Sequence, residues 1–218
     1  LYPSVFTYAF QRFIAEGESI VCVLPSSDVS GTVRSAEIAK ADLPEADIRI
    51  IDTRTIAGPL AALVLEAHHL AETGADANAV EALVREMMQR ARIYFLVDTL
   101  EYLRRGGRIG GAAALVGTVL QIKPILTFMD GKIDTFEKER TKKKALGRIK
   151  ELVKTEAARD RAAHLTVMHA GLAEEAQEVA AELKAALNTE DVMIMDLVPA
   201  IVTHAGPGAL AFGFFTPA

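Results

Sequence analysis

The chain has 218 residues, half of them apolar, with 29 acidic and 24 basic side chains and a formal charge of −5. That balance argues against general nucleic-acid binding, which leans on a basic surface to neutralise phosphate, and the length can bury one large core or two modest ones without staples. The single cysteine, Cys22, excludes an internal disulfide and fits a reducing, cytoplasmic setting.

The sequence opens on Leu1, and Pro3-Ser4 reads as the start of a helix reaching Glu16, so a segment upstream of Leu1 is expected. Short apolar runs then alternate with helical periodicity. Strands are predicted at Ser19 to Leu24, Ile48 to Ile51, Ile93 to Val97, Leu165 to Met168 and Val192 to Leu197. Helices are predicted at Ser30 to Ala41, Gly58 to Thr73, Asn78 to Arg90, Thr141 to Ala158 and Ala173 to Leu187. Such alternation implies βα units, hence an α/β protein with ligands at the carboxyl ends of its strands.

The pattern changes near residue 118, where Leu120 to Met129 and Lys132 to Phe136 flank Asp130-Gly131, a hairpin signal. Two domains are expected: a parallel-sheet α/β domain over 1–118 and a mixed-sheet α/β domain over 119–218. The longest uncharged apolar stretch, Ile109 to Ile122, contains three glycines, Thr118 and Gln121 and is too short to span a bilayer.

Three stretches carry chemistry. In Ser26-Ser27-Asp28-Val29-Ser30-Gly31-Thr32, a strand hands over to a helix expected to begin at Ser30 or Gly31. Ser27, Asp28 and Ser30 are good caps, and the first-turn amides favour a negative group. This is either an ordinary βα turn or a seat for a carboxylate or phosphate.

In the second stretch, a short helix from Thr99 to Arg104 leads into Arg105-Gly106-Gly107-Arg108. Three arginines on a glycine turn suit an anion, although Glu101 on the same helix can pair with Arg104 or Arg105. In the third, Thr203-His204-Ala205-Gly206-Pro207-Gly208, two glycines beside an imidazole let ligand and backbone come close; a structural histidine is the other reading.

Between Glu137 and Lys154 eight basic residues face three acidic ones, which fits either docking of something negative or a solvated helix face opposite Leu146, Ile149 and Val153. Other chemistry fails. His68 and His69 are adjacent and point about 100° apart on a helix, so they cannot share a metal. There is no Walker-type phosphate loop and no nucleophile elbow. Gly206-Pro-Gly-Ala-Leu-Ala211 lies too near the end for a dinucleotide fold to follow.

Taken in order, Pro3-Ser4, Ser26-Ser27, Ser30-Gly31-Thr32, Ile51-Asp52-Thr53, Asp98-Thr99-Leu100-Glu101-Tyr102-Leu103, Gly106-Gly107-Arg108-Ile109, Ile122-Lys123-Pro124-Ile125-Leu126, Gly131, Arg140 and His204-Ala205-Gly206-Pro207-Gly208 resemble the DegV family of bacterial fatty-acid-binding proteins. The resemblance implies a two-domain α/β architecture with one long-chain fatty acid, such as palmitate or oleate, in a tunnel between the domains. It implies no other cofactor, no metal and no catalysis of its own: the protein would be a carrier in phospholipid metabolism that presents the carboxylate to a separate fatty acid kinase subunit, with transient peripheral membrane contact.

Carried over residue by residue, Ser27, Ser30, Gly31 and His204 would bind the carboxylate. Arg108 and Arg140 would lie near the transferred phosphate or at the kinase interface. Tunnel walls are expected from Ala57 to Val64, Ala112 to Val119 and Leu210 to Phe215. Family members begin with a strand carrying an Asp-Ser pair and later a Thr-Ser-Gln-Pro-Ser segment; here Leu1-Tyr2 stand in the place of Ser-Gln. The alternatives are a dihydroxyacetone-kinase-like substrate-binding subunit and a lipid-responsive sensor.

Overall fold

The computed structural model describes residues 2–116 and 122–218. The expected boundary at 118 and the first residues of the strand expected from Leu120 lie outside them. The chain divides into two compact units, Leu1–Ile56 with Leu60–Gln89, and Ala57–Pro59 with Arg90–Ala218.

The first unit is built on helices α1 (Pro3–Ala15), α2 (Thr32–Ala41), α3 (Ala57–Glu72) from Leu60 onward and α4 (Ala77–Arg90) as far as Gln89, with strands β1 (Ile20–Leu24) and β2 (Ile48–Asp52); the first three residues of α3 belong to the second unit. Pro3 opens α1, where its fixed φ suits the first turn and its missing N–H costs nothing. Phe6 and Phe10, one turn apart with ring centroids 5.7 Å apart, pack with Ala36 and Ala39 of α2 and with Leu24 and Ile48. β1 and β2 pair in parallel from Ile20↔Ile48 to Leu24↔Asp52. Cys22 sits in β1, and burial pushes its thiol up to about 11, so it is a packing residue and no nucleophile at neutral pH.

The second unit is a six-stranded mixed sheet. Its strands are β3 (Ala91–Leu96), β4 (Lys123–Met129), β5 (Lys132–Glu139), β6 (Leu165–His169), β7 (Val192–Asp196) and β8 (Leu210–Phe215), in the order β5-β4-β3-β8-β6-β7. Only β6 and β7 are parallel; they are joined by α7 (Ala173–Leu187) as a βαβ unit. The Asp130-Gly131 turn joins β4 and β5 with positive φ at both residues, 49° and 79°, and Met129 pairs with Lys132, the two-residue hairpin expected for Asp-Gly.

One face of this sheet packs against α6 (Lys142–Glu156) and α7. Tyr94, Leu96, Ile125, Leu165, Val167, Leu210, Phe212 and Phe214 form one cluster with Ile149, Leu152, Val153, Val179 and Leu183. On the other face the 57–59 turn closes in: a Cβ on Gly58 would lie 2.1 Å from Thr166 Oγ1, and one on Gly213 would lie 2.5 Å from Pro59 Cδ.

The expected strands and the six expected helices are present with ends shifted by at most three residues. Three features differ. The break between units falls at Arg90, because β3 hydrogen-bonds antiparallel to β4 and β8 in the mixed sheet instead of extending a parallel layer. Pro199–Ala205 is a helix, α8, where a link was expected. Leu210–Phe215, expected as tunnel wall, is one of the two central strands of the sheet; its Leu210, Phe212 and Phe214 pack into the α6–α7 core, and the alternate residues Ala211, Gly213 and Phe215 face the other side.

Candidate functional site

In the first unit, the turn after β1 is held by a carboxylate from the neighbouring strand. Asp52, last in β2, accepts from Ser27 Oγ (2.5 Å), Ser27 N (3.2 Å) and Arg54 N (3.0 Å). Arg54, with a φ of 57°, bridges Asp28 (2.7 Å) and Asp52 (3.4 Å). Burial alone would push the Asp52 carboxyl up, but these donors outweigh it and hold the group below the ordinary carboxylate range. Ser26 is fully buried, and its Oγ accepts from Asp28 N.

The helix that follows starts at Thr32 with Gly31 as its cap, one residue later than expected, and no side chain caps it directly. Ser30 Oγ lies 2.7 Å from Thr32 Oγ1 and accepts from Thr32 N. Gly31 is exposed, and nothing lies within 4 Å of where its Cβ would be. First-turn amides without intrahelical partners, beside a residue with no side chain, offer a ligand direct access to the main chain. The donors of Ser27, by contrast, are spent on Asp52, so Ser27 builds the turn.

In the second unit, the other two motifs interlock. β3 runs out into Asp98-Thr99 and helix α5 (Glu101–Arg105), and α8 ends at Gly206. Three close approaches between them are made at glycines. A Cβ on Gly106 would stand 2.1 Å from His204 Nδ1, one on Gly206 2.5 Å from Tyr102 Cδ2, and one on Gly208 3.0 Å from Asp98 Oδ2. Gly206 has φ 82° and ψ 166°, a conformation that admits glycine almost alone. The main chain of Gly208 also donates to Ala170 O at 2.9 Å, tying this corner to the end of β6.

His204 is half-buried, with Nδ1 enclosed. Burial first, and the Arg108 charge second, lower its pKa below the ordinary histidine value, so it is neutral at pH 7. Among the arginines, Arg104 and Arg105 are committed to Glu101, at 2.7 Å each, and those bonds pull the Glu101 carboxyl down to about 2. Arg108 donates to Gly106 O at 2.5 Å. Beside α5 lies a cavity of about 260 Å³ whose walls include Val97, Leu100, Leu115, Val116 and Ile122, with Asp98 and Lys123 at its polar side. Lys123 Nζ donates to Asp98 O at 2.9 Å.

Three of the eight basic residues in the basic stretch are paired within the unit. Arg148 grips Glu137 with two bonds of 2.9 and 2.8 Å, Lys142 pairs with Glu175 at 2.7 Å, and Lys150 pairs with Glu182. Arg140 lies apart from His204 in sequence and is exposed at the β5–α6 junction, with Lys138, Lys143 and Lys144 also exposed.

The structure thus puts His204 and Arg108 into one cluster of the second unit. Ser27, Ser30 and Gly31 belong to the first unit, and Arg140 follows β5 in the second, next to Glu139, which pairs with Lys123. Gly106, Tyr102 and Asp98 stand in the motifs that carry the resemblance, but their roles as contact partners of His204, Gly206 and Gly208 were not read from the sequence. In sequence Gly106 reads only as part of a glycine turn, and no local signal reveals that a side chain about a hundred positions away fills its missing Cβ. Among the described residues no group of three or more His, Cys, Asp and Glu could hold a metal ion, and no helix is long and apolar enough to cross a membrane.

Comparison with known proteins agrees with this architecture. DegV domain-containing proteins of Clostridium perfringens and Clostridium acetobutylicum are 37% and 35% identical over 213 and 210 residues, covering 96% and 94% of this chain and 75% and 73% of theirs. A DegV family protein of Thermus thermophilus, described for its fatty acid binding, superposes with a TM-score of 0.85 at 28% identity. DegV of Bacillus subtilis, described as a fatty acid binding protein, does so with 0.84 at 30%; each match covers 99% of this chain and 77% of the other. The model of the family described as "Uncharacterised protein, DegV family" matches residues 1–217, and the chain belongs to the DegV family.

Proposed function

We propose that this protein binds one long-chain fatty acid and presents its carboxylate to a separate kinase subunit for acyl-phosphate formation. The observation that carries the reading is the match, over nearly the whole chain, to the Thermus thermophilus and Bacillus subtilis proteins described as binding fatty acids. The glycine-lined setting of His204 and the open main chain at Gly31 support it, since both leave donors where a carboxylate can approach.

In this reading Ser30, the amides at Gly31 and His204 hold the carboxylate, and Ser27 shapes the turn through Asp52. A neutral His204 donates a hydrogen bond instead of forming an ion pair, so positive charge near the head group comes from Arg108. Arg140, with the exposed lysines around it, contributes to the kinase contact. Burying an alkyl tail stabilises by about 0.8 kcal/mol per methylene, so a sixteen-carbon tail contributes on the order of 10 kcal/mol before entropy costs, and the head group sets orientation more than affinity.

Native mass spectrometry followed by organic extraction tests the proposal. A stoichiometric fatty acid that is lost in Ser30→Ala and His204→Ala supports it. An empty protein that takes up neither added oleate nor palmitate overturns it and favours a triose-binding subunit. Lipid binding without phosphorylation in the presence of ATP and a cognate kinase would leave a lipid-responsive sensor.

A further inference from the structure

Gly106 caps α5 with φ −75° and ψ −7°, right-handed backbone open to any residue. Its neighbour Gly107 has φ 67°, where the main chain itself favours glycine. At Gly106 no such demand exists, and alanine is the better residue at the end of a helix. What excludes alanine is His204: a Cβ would meet Nδ1 at 2.1 Å, Cε1 at 3.0 Å and Cγ at 3.2 Å.

Nδ1 is buried and has no hydrogen-bond partner among the described residues. A neutral imidazole carries one proton, and an unpaired buried N–H is rarer in proteins than an under-satisfied acceptor. The proton therefore belongs on Nε2. The Arg108 charge acting on the same ring disfavours a second proton.

We propose that Gly106 is a positioning residue: the volume of its absent side chain seats His204 Nδ1, fixing the ring so that Nε2–H is the group offered to a ligand carboxylate. The ligand half of this proposal rests on the reading of His204 given above; the seat does not.

A double-mutant cycle with Gly106→Ala and His204→Ala, read by oleate affinity in calorimetry and by ¹⁵N NMR of the His204 ring, tests it. Gly106→Ala is expected to weaken oleate binding at least tenfold, about 1.4 kcal/mol, when His204 is present and less than twofold in the His204→Ala background. The ligand-free wild-type ring should carry its proton on Nε2, and Gly106→Ala should give a mixture of tautomers. An equal loss in both backgrounds, or a wild-type ring protonated on Nδ1, overturns the proposal. Should wild type and His204→Ala bind oleate equally, the carboxylate role of His204 falls, and ring signals left unchanged by Gly106→Ala would then overturn the seat as well. If Gly106→Ala does not fold, the wild-type ring spectrum decides alone: Nε2–H supports the seat and Nδ1–H overturns it.

Discussion

Replacing Gly206 by alanine tests whether the α8–α5 corner is held by the main chain or only by contact. Two costs follow from the structure. The φ of 82° with ψ of 166° lies where only glycine is comfortable, a strain of about 1–3 kcal/mol for any other residue. The new Cβ would also fall 2.5 Å from Tyr102 Cδ2 and 2.9 Å from Cε2. Tyr102 is 40% exposed, so its ring can swing outward at the low end of the overpacking range, about 1 kcal/mol. The total is about 2–4 kcal/mol, a fall in melting temperature of roughly 5–15 °C for a unit of this size. Urea and thermal unfolding followed by circular dichroism measure it, the chain having no tryptophan for fluorescence. Measured in a Tyr102→Ala background, Gly206→Ala should still cost about 1–3 kcal/mol, because removing the ring relieves the contact and leaves the backbone strained. A total loss under about 1 kcal/mol, or full relief by Tyr102→Ala, would refute the reasoning.

Gly31→Ala meets open space at a negative φ, so it should cost no more than about 1 kcal/mol as a changed cap, while oleate affinity falls at least fivefold because the main chain is screened. Asp52→Ala should destabilise the first unit by about 1–3 kcal/mol through loss of its bonds to Ser27 and Arg54. Since the Asp52 carboxyl is held below its unfolded value, its contribution is present above about pH 4 and lost as pH falls through the folded value; acid titration of wild type against Asp52→Asn checks the sign. Phe212→Ala, at a fully buried position in the middle of the six-stranded sheet, should cost about 3–5 kcal/mol in urea unfolding, and a cost below 2 would mean that the strand is not central.

Much of the local structure was legible because it depends on neighbours in sequence. The Asp130-Gly131 hairpin needs positive φ at two adjacent residues, and those residue types supply it at little cost. The apolar runs of β1 and β6 and the periodicity of α6 and α7 announce themselves in the same way. Among the candidate residues, Ser30 and Gly31 of the first unit and Arg108 and His204 of the second were readable as polar and small residues in ordered motifs, and Glu101 pairs with Arg104 and Arg105 at helical spacing as anticipated.

Partnerships distant in sequence were not readable. The run Ala91–Leu96 is apolar whether its neighbours are parallel or antiparallel, so only pairing with β8 and β4 assigns it to the mixed sheet. Leu210–Phe215 is equally apolar as wall or as core, and only the arrival of α6 and α7 on one face makes Phe212 and Phe214 core. Ser27 looked like a ligand donor until Asp52, 25 residues on, took both its donors. Sequence alone therefore determined which residues bear polar chemistry and which segments extend or coil, since those properties come from side chains and adjacent dihedrals. Tertiary structure decided which donors are spent and which small residues are spaces for another side chain, because the Cβ that Gly106 lacks has meaning only once the His204 ring stands in its place.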